Sequence, residues 1–202
     1  MVLAFVCYKI RLVDQNGNKT VSNLLLLIVN PILIITVYQT EYDPELVRGL
    51  LLSFAAAAAT HILGIIISTL LIRPKDGTDY GIERFNAIYS NCGFIGIPLI
   101  GSVLGDTGVF YLSAYMVMFN LFSWTHGIVL MEKKLSLKSL KEGLISPMFI
   151  ATLIAVLLFF LQLKIPSVLL DSMNYIADMN TPLAMMVAGF SVAQADLRKM
   201  CK

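Results

Sequence analysis

Five stretches of this chain lack Asp, Glu, Lys and Arg altogether: 20–40, 49–72, 85–105, 107–131 and 143–163. A helix rising about 1.5 Å per residue needs roughly 20 residues to cross about 30 Å of hydrocarbon, so each stretch predicts a membrane span. A sixth uncharged run, 179–195, reaches that length once its polar lead-in from about Asn174 is included. Residues 1–8 are apolar but too short to cross, and they read as the end of a first span whose beginning is missing. With 57% hydrophobic and 14% charged residues, the chain does not have the composition of a soluble surface. The expected class is an all-α integral membrane protein with about seven helices, the first truncated.

Other classes are excluded. A net charge of +2, with the basic residues dispersed over separate loops, offers no electrostatic footprint for nucleic acid. Cys7, Cys92 and Cys201 form no CxxC and have no histidine at ligand spacing, so neither a disulfide framework nor a metal site is expected, and no cofactor is implied. Lys9 and Arg11 follow the first apolar stretch instead of preceding it, which is the wrong order for a signal peptide.

The loops alternate in basic content. Lys9, Arg11 and Lys19 lie in one connection, Arg73, Lys75 and Arg84 in a second, Lys133, Lys134, Lys138 and Lys141 in a third, and Arg198, Lys199 and Lys202 in the tail. Thirteen of the 15 basic residues therefore fall on one side, which the positive-inside rule makes cytoplasmic, the C-terminal tail included. The connections near 41–48 and 164–171 fall on the opposite side. The basic segment 132–142 reads as an amphipathic stretch on the anionic cytoplasmic leaflet of a plasma membrane. Trp124, Tyr38, Tyr42, Tyr80 and Tyr111 fall near span ends, as interfacial aromatics do.

Anchoring helices can be uniformly apolar, so residues that break helices or place polar groups at mid-membrane depth carry the functional signal. Asn30-Pro31 interrupts the second span and Asn180-Thr181-Pro182 the seventh. Those spans run in opposite directions, as an inverted repeat requires. The fourth span holds the denser interruption: Ser90, Asn91, Gly93, Gly96, Pro98 and Gly101 within 12 residues. Two glycines, each about 1 kcal/mol poorer than alanine in a helix, and a proline without an amide donor predict a discontinuous helix. Its second half, beginning near Pro98, would point a positive dipole end at a carboxylate. A kinked helix whose glycines permit close packing satisfies the same composition.

The run Asn91-Cys92-Gly93-Phe94-Ile95-Gly96-Ile97-Pro98-Leu99 resembles the signature of the auxin efflux carrier family, whose bacterial members are organic-acid permeases. Residues 9–27, Ser146-Pro147 in place of a usual Asn-Pro, and Thr181-Pro182-Leu183-Ala184 with Gly189 extend the resemblance over essentially the whole chain. The resemblance implies a ten-helix carrier of two inverted repeats that works by an elevator motion. Spans three to five and eight to ten would move against a scaffold of spans one, two, six and seven that also dimerises. On that plan 1–131 is the first repeat, 132–142 a cytoplasmic linker, and 143–202 the start of a second repeat whose remainder is missing. Carried over by resemblance, Asn91 and the backbone of Gly93, Phe94, Gly96 and Pro98 contact substrate, with Ser90 beside them. The implied substrates are small organic anions, auxin-like or dicarboxylic.

His61 and His126 each read as proton relays or as neutral rings bonded to a carbonyl. Asn120 and Ser123 either face the Asn91 cavity or bond across helices, the latter being favoured, and Asp178 is expected at the wet interface. An intramembrane enzyme finds little support, since there is no HExxH and no second intramembrane acid to pair with Asp178. A non-transporting fragment of a carrier is the other alternative.

Overall fold

A computed structural model describes residues 1–73, 79–132, 141 and 145–194, and every regular element among them is helical. Helix α1 is Val2–Lys9; α2 (Gln15–Leu24) passes through a π turn, Leu25–Val29, into α3 (Asn30–Val37). Helix α4 is Pro44–Leu71, with Asp43 accepting from the Glu45 amide at its start. Then come α5 (Tyr80–Ile88), a π turn Cys92–Gly96, α6 (Ile97–Phe122), a third π turn Ser123–Gly127, and α7 (Ile128–Glu132). Helices α8 (Pro147–Phe160), α9 (Ser167–Asp178) and α10 (Asn180–Gln194) complete the order. The stretches Gln15–Val37, Pro44–Leu71, Tyr80–Met131 and Ser167–Gln194 are long and apolar enough to cross a membrane, while Pro147–Phe160 is apolar but shorter. The protein is an all-helical, multi-pass membrane protein.

Gly105 divides α6 where the sequence has its charge-bearing turn: φ 62°, ψ −158° leaves the helical region and is left-handed, which glycine alone adopts without strain. The helices then pack in two groups. In one, α4 runs along α6, and α5 packs on α4 and α7; in the other, α1 lies along α10, and α3 sits between α8 and α9. The groups meet where α3 and α10 touch α6 and the Cys92–Gly96 turn. In lipid there is no hydrophobic drive between apolar helices, so close packing of small residues carries much of the association. Ala114 and Ala155 in one core cluster, and Ala184 in the other, are fully buried.

Connections expected on the same side do meet. Gln39 Oε1 accepts from the Ile165 amide at 2.9 Å, Lys164 Nζ donates to the Thr40 carbonyl at 3.0 Å, and Gln162 Oε1 accepts from the Tyr42 amide at 3.1 Å. Tyr38 departs from expectation. It is 1% exposed, not interfacial, because its hydroxyl donates to Ser113 Oγ (2.6 Å), which donates on to the Phe110 carbonyl (2.7 Å). A partnered hydroxyl can be buried at little cost, and the ring packs between Phe110 and Phe159. Asp178 is exposed, as expected. The amphipathic stretch within 132–142 and the basic tail lie outside the described residues.

One expected interruption is corrected. The chain stays helical through Asn30-Pro31: the Asn30 amide reaches five residues back to the Leu25 carbonyl, and the wider π turn takes up the donor that proline lacks. The seventh span is interrupted where expected: within Ser167–Gln194, α9 ends at Asp178 and α10 begins at Asn180, which puts Pro182 in a first turn where a missing amide is harmless. Ser146-Pro147 likewise opens α8, with Ser146 Oγ accepting from the Phe149 amide at 3.4 Å.

Candidate functional site

The fourth span does break, but upstream of its glycines. Helix α5 ends as Tyr89 turns extended (φ −99°, ψ 97°), and the chain stays non-helical through Asn91 (φ −79°, ψ 69°). The second half-helix starts at Cys92, six residues before the expected Pro98. Asn91 caps it, its Oδ1 accepting from the Phe94 amide at 3.1 Å, as a short polar side chain does at a helix start. Pro98 sits buried in the first turn of α6, behind a π turn that absorbs its missing donor.

Two cavities flank the break. The first, about 190 Å³, is lined by Asn30, Ser90, Asn91, Gly93, Phe94 and Asn120 together with Leu26, Cys92 and the methionines 116 and 148. The second, about 370 Å³, is lined by Ser90, Asn91, Cys92, Ile95, Gly96, Leu112 and Tyr115. Ser90, Asn91 and Cys92 are thus a wall one chain thick between them. Of the expected site residues, Ser90, Asn91, Gly93 and Phe94 meet at the first cavity and Gly96 lines the second. Pro98 lines neither, and Thr181 and Pro182 are exposed elsewhere.

Asn30, read from sequence as a helix-break residue, is instead part of the cavity wall. It is 1% exposed, and its Oδ1 accepts from Asn180 Nδ2 at 2.6 Å across 150 residues of chain. A Cβ on Gly93 would lie 3.8 Å from Asn30 Nδ2, so the amino end of Asn30 faces the break. The mid-membrane position of Asn30 was the available signal; its partner was not legible. Asn120 also lines the first cavity, against the favoured reading of a cross-helix bond, while Ser123 Oγ donates to the Asn120 carbonyl of its own helix.

Two of the three cavity asparagines, Asn91 and Asn30, spend their carbonyl oxygens inside the protein, on the Phe94 amide and on Asn180. What each turns outward is its NH2, a donor. The cavity wall therefore offers N–H groups at a helix start without a buried charge. Nε2 of His61 has no hydrogen-bond partner among the described residues, and its Nδ1 is 2.7 Å from the Ala57 carbonyl, which fits the neutral-ring reading. His126 Nδ1 lies 3.0 Å from the Tyr89 hydroxyl. No cluster of metal-ligating side chains exists among the described residues.

No curated relative matches the chain. A family model described as membrane transport protein matches residues 1–138 and 133–202. With a broken span walled by polar groups and a match running the length of the sequence, the chain belongs to that membrane transport protein family, the auxin efflux carrier family of the resemblance noted above.

Proposed function

We propose that the protein is a secondary transporter of small organic anions, auxin-like or dicarboxylic, and that substrate binds at the break between α5 and α6. The observation that carries this reading is the orientation of two asparagines in an otherwise largely apolar wall. Asn30 and Asn91 both commit their oxygens to protein donors, leaving amino groups toward the cavity beside the start of a helix. The backbone amides of Cys92, Phe94, Ile95 and Gly96 are already bonded, so an anion here would meet the side-chain amino groups and the positive end of the helix dipole, with no fixed counter-charge buried in the membrane.

Movement by an elevator step is part of the proposal. Helices α4 to α7 pack among themselves, as do α1 to α3 with α8 to α10, and the break lies on the first group where it faces the second. Sliding one group against the other would carry a substrate held at Asn91 past Asn30. In this reading 1–131 is one repeat, 143–202 belongs to an inverted second, the scaffold helices pair in a homodimer, and the tail is cytoplasmic in the plasma membrane.

Counterflow of labelled mono- and dicarboxylates in proteoliposomes tests the assignment. A hydrogen bond to a charged group contributes about 1.5–3 kcal/mol, so Asn91→Ala should lower transport roughly 10- to 100-fold. Unchanged transport of every carboxylate carried by the parent protein would remove Asn91 from the site.

A further inference from the structure

His61 and His126 are titratable groups that the cavity wall does not include. His61, on α4, is 2% exposed. Its Nδ1 faces a carbonyl oxygen, which can only accept, so Nδ1 carries a hydrogen and Nε2 is the nitrogen at which a proton can be gained or lost. Around that ring lie Tyr115, Phe122, Tyr89 and Phe119, with centroids 5.0, 5.2, 6.1 and 6.3 Å away, Phe122 nearly parallel at 6°.

The titratable groups facing His61 are the phenols of Tyr89 from the end of α5 and Tyr115 from α6. His126, in the Ser123–Gly127 π turn, stands behind Tyr89; Arg84, on α5, is turned to the carbonyls of Thr69 and Ile72. Both phenols also hold the break. Tyr89 is the residue at which the fourth span leaves the helix, and its hydroxyl donates to the Phe122 carbonyl at 2.9 Å. Tyr115 meets Ser90 Oγ, in the wall between the two cavities, at 3.1 Å. One histidine therefore touches both side chains that fasten the substrate wall.

We propose that His61 is a proton-binding site coupled to the break, so that anion transport is linked to protons; the transport half of this rests on the function proposed above. Uptake of a proton from water at Nε2 creates a charged, buried N–H with no acceptor among the described residues, and such a donor is costly. The conformation described here is therefore the proton-free one. The proton-bound conformation supplies an acceptor to Nε2, and the hydroxyl oxygens of Tyr89 and Tyr115 are the ones its neighbours carry. Turning either toward His61 removes it from Phe122 or Ser90 and releases the wall. By linkage, whatever favours the released wall also favours the proton.

The test has a readout that needs no transport. In the full chain in lipid nanodiscs, with Cys7→Ser and Cys201→Ser, modification of buried Cys92 by a maleimide reports release of the wall. Between about pH 8 and about pH 5, the ratio of rates in the parent to those in His61→Gln should change at least about fivefold. Taking this ratio cancels the thiol's own pH dependence. A ratio constant with pH overturns the inference. Histidine nitrogen NMR on the unsubstituted protein covers the case in which His61→Gln fails to fold: a His61 ring that stays neutral through that pH range also overturns it. In proteoliposomes, an inward proton gradient should stimulate carboxylate uptake by the parent, and His61→Gln should lose the stimulation while keeping exchange. Gradient-independent uptake by the parent defeats the coupling and spares the transporter. If the parent moves no carboxylate at all, the proposed function fails, and the Cys92 profile still decides whether His61 is a proton switch.

Discussion

The second and fourth spans carry the same local device and end up with different backbones. In each, a five-residue π turn runs directly into a residue and a proline: Leu25–Val29 before Asn30-Pro31, and Cys92–Gly96 before Ile97-Pro98. In each, the residue ahead of the proline donates five positions back, Asn30 to the Leu25 carbonyl and Ile97 to the Cys92 carbonyl. Proline is thus absorbed twice in the same way, and neither proline breaks its helix. The fourth span breaks seven to nine residues before its proline, where Tyr89, Ser90 and Asn91 each find a partner off the helical track: Phe122 and His126, Tyr115, and the Phe94 amide. The second span has Asn30 at the comparable depth, but its partner, Asn180, lies on another helix and asks nothing of the local backbone. A membrane helix opens where replacement hydrogen bonds exist for the backbone it gives up, and a proline alone does not supply them.

Six substitutions sharpen or break this comparison. The largest effect is expected for Asn91→Ala, which removes both the cap and the proposed donor: transport should fall roughly 10- to 100-fold. Stability should drop by only about 1 kcal/mol, as for a lost helix cap. Loss of fold instead of transport, measured by thermal unfolding in detergent, would make the residue structural.

Asn180→Leu comes next. It leaves Asn30 Oδ1 buried without its donor, so stability should fall by about 1–3 kcal/mol. The double variant with Asn30→Leu should recover much of that loss while losing transport. A cycle showing strictly additive losses would mean the two asparagines do not act as a pair.

Gly93→Ala is expected to be milder. An added Cβ meets Asn30 Nδ2 and Leu26 only at ordinary contact, 3.8 Å each, so unfolding should be unchanged. The methyl does enter the first cavity, and affinity for larger carboxylates should fall more than for smaller ones. Equal loss for all sizes in a competition series would place the substrate elsewhere.

Pro98→Ala should do least. Its site lines neither cavity and its π turn already supplies the backbone bonds, so transport should stay within about threefold, less than the 1.4 kcal/mol that a tenfold change represents. Pro31→Ala offers the contrast: if its π turn relaxes to α, Asn30 rotates away from the cavity, and transport falls although the helix is no less stable. Equal effects from the two prolines would defeat the distinction drawn between the spans.

Much of this was legible in the residues themselves. Runs without charge marked the spans, alternating basic loops paired the connections that meet through Gln39, Thr40, Gln162 and Lys164, and the polar cluster after Tyr89 marked the fourth span as the site region. Exclusion of charge from hydrocarbon acts residue by residue and adds along the chain, so a sequence displays it directly. The family motif was equally local, and the family model confirms the membership it implied.

Other features waited for the tertiary structure. The break was expected at the glycines and Pro98, because propensity counts what a residue costs a helix and not what its side chain can reach. Tyr38 was placed at the interface until Ser113 provided its partner, and Asn120 was assigned to packing until the cavity appeared beside it. Asn30 changed from a helix breaker to a donor once Asn180 was beside it. Composition, the apolar helices and the family were legible in the sequence alone. Which polar atoms are satisfied, and which are therefore left facing a substrate or a proton, was decided only by the fold, because a hydrogen bond belongs to two residues and its second member lay up to 150 positions away.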